Sequence, residues 1–323
     1  MTARDSMLEL KKRIGESVVG QAAVIDRLLV ALLADGHVLM EGLPGLAKTR
    51  TIKTLAKNLE SEFRRIQFTP DLLPSDVTGS EIYQEAGGKG TFQFQPGPIF
   101  GNLILADEIN RAPAKAQASL LEAMEERQVT VSGTTHPLPG LFLVLATQNP
   151  IEQEGTYPLP EAQTDRFLMK VVLGYSSDDE ERQIMRLVRG EESAAPQKKD
   201  APAKLPQKAV LDARAEVHKV FVADAVEKYI VTLIGATRRP GDFSPDLKKW
   251  VQVGASPRGT LALDRCSRAY AWLQGRDHVT PDDVRAIAPD CLRHRLILSY
   301  EAVADGVTPE QVVAEVVKKV AVP

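Results

Sequence analysis

The residues best suited to chemistry lie in one short glycine-rich segment. It consists of Gly42, Leu43, Pro44, Gly45, Leu46, Ala47, Lys48 and Thr49. An apolar run at 37–40 precedes it and a segment with helical spacing follows, so it joins a strand to a helix. Its backbone N–H groups and the helix N-terminus can hold phosphates, Lys48 can neutralise the β- and γ-phosphates, and the Thr49 hydroxyl can bind Mg²⁺. The segment therefore predicts a nucleoside triphosphate site.

A second segment carries two carboxylates. The apolar run 103–106 ends in Asp107 and Glu108. At a strand end beside a phosphate loop, Asp107 would hold Mg²⁺, directly or through water, and Glu108 would polarise the attacking water. Taken separately, the first segment favours the phosphate site over an ordinary glycine-rich turn, and the second fits a solvated strand end equally well. Together, with room between them for one more strand and helix, they favour magnesium-dependent ATP hydrolysis.

These segments need a scaffold of alternating strands and helices. Candidate strands lie near 37–41, 63–68, 102–106, 141–147 and 168–173, with helical patterns between them. This alternation predicts an α/β domain over 1–189 with a parallel five-stranded sheet. Two further stretches, 80–95 and 128–138, predict β-hairpin insertions, the second turning near Gly133.

The rest of the chain has a different pattern. Residues 190–207 are polar and rich in Pro, Ala and Lys, which indicates a flexible linker or a long surface loop. Residues 208–323 have helical periodicity throughout. Helix starts are marked by a Ser-Pro or Thr-Pro pair, in which a capping hydroxyl precedes a proline, at Ser244, Ser256, Thr280 and Thr308. We expect a second, all-helical domain over 208–323.

Composition narrows the class of protein further. The 323 residues carry a net charge of −3, so no global field draws the chain to nucleic acid or an anionic membrane. Cys266 and Cys291 form no CxxC motif, which fits buried thiols in a reducing compartment. The polar N-terminus has no signal-peptide pattern, and no apolar run reaches the ~18 residues of a membrane-spanning helix. We expect a cytoplasmic protein without membrane insertion.

The motifs taken together resemble the MoxR family of AAA+ ATPases, over nearly the whole chain. Ala47, where phosphate loops usually have glycine, matches the usual form of this family. The other segments that carry the resemblance are Val18-Val19-Gly20-Gln21, Gln95-Pro96-Gly97-Pro98-Ile99-Phe100, Ala106-Asp107-Glu108-Ile109-Asn110-Arg111-Ala112-Pro113, Leu120-Leu121-Glu122-Ala123-Met124, Ala146-Thr147-Gln148-Asn149-Pro150, Leu159-Pro160-Glu161-Ala162, Asp165-Arg166-Phe167 and Gly254-Ala255-Ser256-Pro257-Arg258. The resemblance implies an AAA+ α/β domain followed by a helical lid.

The resemblance also implies roles for single residues. Asn149 resembles sensor 1, which orients the attacking water, although an asparagine before proline also favours a turn. Arg166 resembles the arginine finger, and Arg258 resembles sensor 2 at a helix start where guanidinium and helix dipole could both face the phosphates. Each arginine could instead be an ordinary surface residue. Arg111 fits an intersubunit phosphate contact and a structural ion pair equally well.

Other implied roles concern the base and the assembly. The adenine pocket would be formed by Val18, Val19, Gly20 and Gln21. An arginine finger needs a second subunit, so a homo-oligomeric ring is implied, and AAA+ rings are usually hexamers.

The resemblance implies chaperone-like remodelling of partner proteins with VWA-type domains, with the hairpins as contact elements. A metal-chelatase motor subunit is the alternative. A nucleic-acid motor fits less well, because the hairpin tips offer only Lys89 and His136 and no basic track.

Overall fold

The computed structural model describes residues 2–43, 46, 48–86, 89–149, 156–193 and 203–323. The strands are β1 (Val38–Glu41), β2 (Phe63–Gln67), β3 (Gly79–Ala86), β4 (Lys89–Pro96), β5 (Leu103–Asp107), β6 (Gln128–Val131), β7 (Thr134–Pro137), β8 (Leu143–Gln148), β9 (Met169–Val172), β10 (Val251–Val253) and β11 (Ile297–Leu298). The helices are α1 (Ala3–Ser17), α2 (Ala22–Leu33), α3 (Lys48–Asn58), α4 (Pro74–Thr78), α5 (Ala114–Glu126), α6 (Glu161–Thr164), α7 (Asp178–Ser193), α8 (Gln207–Val217), α9 (Asp224–Arg238), α10 (Pro245–Trp250), α11 (Pro257–Leu273), α12 (Pro281–Leu292), α13 (Tyr300–Ala304) and α14 (Pro309–Lys319).

The central sheet has five parallel strands in the order β2-β5-β8-β1-β9. β5 is buried along its whole length and β8 along nearly all of it, as expected for strands covered on both faces. Each of the five predicted strands overlaps one of these. The predicted fold class, an α/β core with a parallel five-stranded sheet, two hairpins and a helical lid, is therefore confirmed.

Because the strands are parallel, their carboxyl ends form one edge of the sheet and their amino ends form the opposite edge. The candidate site residues are distributed between these two edges. The phosphate loop follows β1, Asp107 ends β5 and Asn149 follows β8, so all three lie at the carboxyl ends of strands. Arg166 lies just before β9, and the backbone N–H of Leu168 donates to the His37 carbonyl oxygen beside the start of β1. The carboxyl edge and the amino edge are roughly 13 Å apart, given about 3.3 Å per residue in four-residue strands.

Both predicted hairpins form. β3 pairs with β4, and β6 pairs with β7 through a turn with positive φ at Ser132 and Gly133. On the first hairpin Tyr83 lies opposite Phe92, and their side chains are 61% and 70% exposed. The ring of His136 on β7 stacks on Phe94 of β4, with centroids 3.9 Å apart. The hairpins therefore contact each other.

The C-terminal region is helical, with one addition. The Ser256 hydroxyl caps α11, and Thr280 and Thr308 form capping boxes at α12 and α14, as the Ser-Pro and Thr-Pro pairs predict. A short antiparallel ribbon, β10–β11, was not expected. Cys266 and Cys291 are buried, as predicted. Among the described residues, no helix has both the length and the apolar character needed to cross a membrane.

The segment predicted as a linker, 190–207, is structured at both of its described ends. Residues 190–193 form the last turn of α7, where Glu191 pairs with Arg50 of α3. Leu205 bridges to Leu59 beside α3, and α8 begins at Gln207. These contacts with the α/β domain hold residues that composition alone assigns to a loop. The remainder of the predicted linker, 194–202, lies outside the described residues.

Candidate active site

The phosphate loop connects β1 to α3, as predicted. Lys48 and Thr49 begin α3, and the Lys48 ammonium donates to the carbonyl oxygen of Gly42 at 2.6 Å. A Cβ atom on Gly42 would lie 2.9 Å from the Cβ of Leu173, so only glycine fits without a shift. Leu43 and Leu46 are half-buried. Pro44, Gly45 and Ala47, also predicted to bind phosphate, lie outside the described residues.

Asp107 ends β5 at the same edge and is buried. Its Oδ1 accepts a hydrogen bond from the Thr147 hydroxyl at 2.7 Å, and its Oδ2 accepts from Arg65 Nη2 at 2.6 Å. The Asp107 carboxylate therefore already forms an ion pair with the Arg65 guanidinium. Carboxylate and hydroxyl oxygens are the ligands that Mg²⁺ prefers, so Asp107 and Thr49 are suited to a magnesium ion.

Glu108 follows in a left-handed conformation, with φ 56° and ψ 50°. Its backbone N–H donates to the Thr147 hydroxyl at 2.9 Å, and its carboxylate accepts from Gln67 Nε2 at 3.0 Å. Arg111 Nε lies 3.2 Å from the same carboxylate. A non-glycine residue in this conformation costs about 1–3 kcal/mol, and such strain concentrates at functional sites. The contacts from Thr147, Gln67 and Arg111 therefore fix the direction of the candidate base.

Asn149 completes this edge. It follows β8, is 5% exposed, and its carbonyl oxygen accepts a long hydrogen bond of 3.5 Å from Asn110 Nδ2. Because β8 lies between β5 and β1 in the sheet, Asn149 lies between the strand ends that carry the acids and the phosphate loop. This position suits a group that orients water between base and phosphate.

A cavity of 360 Å³ lies beside the phosphate loop. Gly20 lies in the chain between the lining residues Val19 and Gln21; it has a φ of +76°, and a Cβ there would lie 2.8 Å from Ser176 Oγ. The cavity walls are mostly apolar and include Val18, Val19, Gln21 and Leu46, together with Ile184, Met185, Leu187 and Val188 of α7. Apolar walls of this size suit a flat heterocyclic base. The predicted adenine-binding segment thus lines a cavity next to the loop.

Arg166 and Arg258 lie together at the amino edge of the sheet. Arg166 Nε is 2.9 Å from Glu125 Oε2, and Arg258 Nη2 contacts the other oxygen of the same carboxylate. Both arginines line a second cavity, of 330 Å³. Arg258 therefore does not face the phosphate loop of its own chain.

The position of Arg258 follows from how the lid docks on the α/β domain. Asp165 accepts from the Ser256 hydroxyl at 2.7 Å and from Arg295 Nε at 2.8 Å. Arg295, itself buried, also donates to the carbonyl oxygen of Phe167 at 2.6 Å. These bonds attach the start of α11, and Arg258 with it, to the start of β9.

His37 forms part of the wall of the same cavity. Its Nδ1 accepts from the Val144 backbone N–H at 3.0 Å, and its Nε2 lies 3.3 Å from the Met124 carbonyl oxygen. Burial, reinforced by the positive charge of Arg127, lowers the pKa of His37 to about 3. The imidazole is therefore neutral and structural.

Sequence reasoning missed four of these residues. Thr147 lies inside a segment that carries the family resemblance, but no pattern there indicates that its hydroxyl joins the two acids. Arg65 and Gln67 occupy alternate positions of β2 and therefore share one face of the sheet, which was the available signal. Their pairing beside Asp107 depends on the register of β2 with β5, which the sequence does not show. No sequence pattern indicated Glu125, because its partners Arg166 and Arg258 lie 41 and 133 residues away in the chain.

Four features together define the class of this protein. They are the parallel sheet, the glycine-rich loop after β1, the acids Asp107 and Glu108 at the end of β5, and the helical lid. This combination is that of a P-loop ATPase of the AAA+ class. The sequence model described as "ATPase family associated with various cellular activities (AAA)" matches residues 37–169, and the one described as "AAA lid domain" matches 248–316. The chain is 46% identical to the chaperone MoxR1 of Mycobacterium tuberculosis, over all of this chain and 82% of the relative. The chain belongs to the MoxR family, and it is an ATPase.

Two further similarities agree. The uncharacterized protein YeaC of Bacillus subtilis is 46% identical over 97% of this chain and 93% of its own length. A crystal structure of a Cytophaga hutchinsonii protein, provisionally assigned as an ATPase, superposes with a TM-score of 0.90 at 45% identity, covering 99% of this chain and 96% of that one.

Proposed function

We propose that this ATPase hydrolyses magnesium-bound ATP at sites shared between adjacent copies in a ring, and that it uses the energy for chaperone-like remodelling of partner proteins. One observation carries the proposal. Lys48, Asp107 and Glu108 lie at the carboxyl edge of the sheet, whereas Arg166 and Arg258 lie at the amino edge. One chain cannot bring both groups to a single nucleotide, but two chains in head-to-tail contact can.

Within one chain, each group at the carboxyl edge has its own role. The phosphate loop with Lys48 holds the phosphates, and Thr49 and Asp107 hold the magnesium ion, which neutralises phosphate charge when it is bound. Glu108 polarises the attacking water, and Asn149 orients it. Val18 to Gln21 and Leu46 hold the adenine. Gln67 and Arg111 restrain the Glu108 carboxylate.

The neighbouring chain contributes Arg166 and Arg258. Two guanidinium groups present a row of N–H donors to the phosphates, where charge develops in the transition state. In other NTPases a single arginine of this kind accelerates hydrolysis by ~10³–10⁵. A head-to-tail contact forms a ring when its repeated rotation closes, and six subunits is the number that the family resemblance implies.

The remodelling role is supported by similarity and by the first hairpin. The relative in M. tuberculosis is named a chaperone. Tyr83 and Phe92 present exposed aromatic surface between Glu81 and Glu85, which suits an apolar protein segment better than nucleic acid. A partner with a VWA-type domain is the client class that the resemblance implies.

Mixing two inactive variants tests the shared site. Glu108→Gln removes the base and Arg166→Ala removes the donated arginine, so each variant alone should hydrolyse little ATP. In a random equal mixture, a subunit with Glu108 meets a neighbour with Arg166 at about a quarter of the interfaces, so about a quarter of wild-type turnover should return. A mixture no more active than its components would rule out a site shared between copies.

A further inference from the structure

Glu125 is in the last turn of α5 and contacts both arginines of the amino edge. Its Oε2 lies 2.9 Å from Arg166 Nε, and its Oε1 accepts from Arg258 Nη2. One carboxylate therefore holds two guanidinium groups that come from different domains. We propose that Glu125 holds this arginine pair in the separate protomer and is replaced by the γ-phosphate of the neighbouring copy when the interface closes. This proposal rests on the shared site proposed above.

The other acid nearby is engaged elsewhere. Asp165 accepts from Arg295 and from Ser256, which dock the lid, and its Oδ2 lies 3.6 Å from Arg258 Nη1. Asp165 cannot leave without undoing that docking. Glu125 makes no comparable structural bond in the described part of the chain, so it is the acid that can exchange.

The charges favour exchange rather than a permanent bond. The side chains of Arg166, Arg258 and Glu125 are 29%, 43% and 35% exposed, so the ion pairs are partly solvated and each is weak. A carboxylate and a phosphate accept the same guanidinium N–H donors, and they cannot do so together. A terminal phosphate has more negative charge than one carboxylate. ATP on the adjoining copy would therefore displace Glu125. Until then the single negative charge of Glu125 reduces the repulsion between the two arginines of the separate protomer.

Nucleotide-dependent self-association measures this exchange without relying on turnover. In the hydrolysis-blocked Glu108→Gln background with saturating ATP, sedimentation velocity gives the protein concentration at half-assembly. Adding Glu125→Gln removes the competing charge, so we expect that concentration to fall roughly fivefold, the effect of losing a competing ion pair of about 1 kcal/mol. Glu126→Gln, on the next residue of α5 and outside the arginine pair, is the matched control and should leave it unchanged.

Three outcomes separate the two proposals. A lower half-assembly concentration with Glu125→Gln, abolished when Arg258→Ala is added, supports the exchange. An unchanged or higher concentration overturns the role of Glu125 and leaves the shared site standing. A Glu108→Gln parent that does not associate with ATP overturns the shared site and, with it, this inference. Thermal melting shows whether Glu125→Gln folds. If it does not fold, the half-assembly concentration is measured with Glu125→Ala instead.

Discussion

At the scale of single residues, Thr147 connects the two acids of the site. Its hydroxyl donates to Asp107 Oδ1 and accepts from the backbone N–H of Glu108. The side chain is buried, so each bond is shielded from water. This one hydroxyl group therefore couples the position of Glu108 to the orientation of the Asp107 carboxylate, alongside the contacts from Arg65, Gln67 and Arg111.

Thr147→Val keeps the shape of the side chain but removes both bonds. We expect a loss of about 1–3 kcal/mol in the free energy of unfolding, because buried polar groups are left unpaired. We also expect kcat to fall by on the order of 10²-fold, because the base is no longer held in position. Urea denaturation and steady-state ATPase assays measure both. Thr147→Ser retains the hydroxyl and should stay near wild type; an equal loss in both variants would contradict this role.

His37 makes stability depend on pH in a defined direction. Its folded-state pKa of about 3 lies below the ordinary value of 6.5, so its contribution is complete above pH 6.5 and is lost as the pH falls from there towards 3. At pH 5 the loss is about 2 kcal/mol, or 1.4 kcal/mol for each of 1.5 pH units.

His37→Gln should flatten the decline in unfolding free energy between pH 7 and pH 5, measured by urea denaturation. Part of the slope should remain, since burial also lowers the pKa of His294 well below its ordinary value. His278→Gln changes an exposed histidine and serves as the control. A decline as steep in His37→Gln as in wild type would remove His37 as its cause.

The sequence indicates residues of the site to different degrees. Asp107 and Glu108 end an apolar run, a local pattern, and the structure has them at a strand end. Thr147 and Glu125 act through partners that are distant in the chain, and no local pattern encodes such pairs. For Arg258 the sequence predicts a helix start, which is correct, but its neighbours depend on Asp165, 93 residues earlier.

At the scale of elements, α7 and the segment before α2 both line the cavity that we propose binds adenine. Gly20 has a positive φ and lies against Ser176 and Glu180, just before and within α7. Gly20→Ala introduces strain and a contact that is too close. We expect the Kd for a fluorescent ATP analogue to rise by roughly tenfold, for a strain of about 1–2 kcal/mol. Gly15→Ala, where no atom lies within 4 Å of the added Cβ, should bind as wild type does.

The first hairpin is the element expected to contact clients. Replacing Tyr83 and Phe92 by serine removes exposed aromatic surface without altering a buried core. We expect the ratio of casein-stimulated to basal ATPase activity to decrease, with unfolded casein as the probe. Thr130→Ser, an exposed substitution on the second hairpin, is the comparison. A ratio unaffected by the double substitution would argue against this contact.

Elements with long or repeated patterns were predictable, and short ones were not. The five sheet strands and the Ser-Pro and Thr-Pro helix starts follow from local pattern. β10 and β11 are three and two residues long and have no pattern of their own. The composition of the last turn of α7 predicts a loop. The Arg50–Glu191 ion pair that accompanies this turn is a tertiary contact, which composition does not show.

At the scale of the whole molecule, a shared site makes activity depend on concentration. We expect ATPase turnover per chain to rise with protein concentration and then level off as interfaces fill. Arg166→Ala should leave turnover low at every concentration, because its filled interfaces lack the donated arginine. Turnover measured across a dilution series, with Arg182→Ala on the exposed face of α7 as the control, tests this. A constant turnover per chain would mean that one chain suffices.

The attachment of the lid through Arg295 has a consequence for movement. Its guanidinium is buried among Asp165, the carbonyl oxygens at the start of β9 and the end of α12. Such a junction leaves little room for bending within a chain. We therefore expect ATP turnover to open and close the interfaces between neighbouring chains, while each chain moves as a rigid body. Opening or closing of one interface would then be transmitted to the next interface by rotation of the rigid subunit between them.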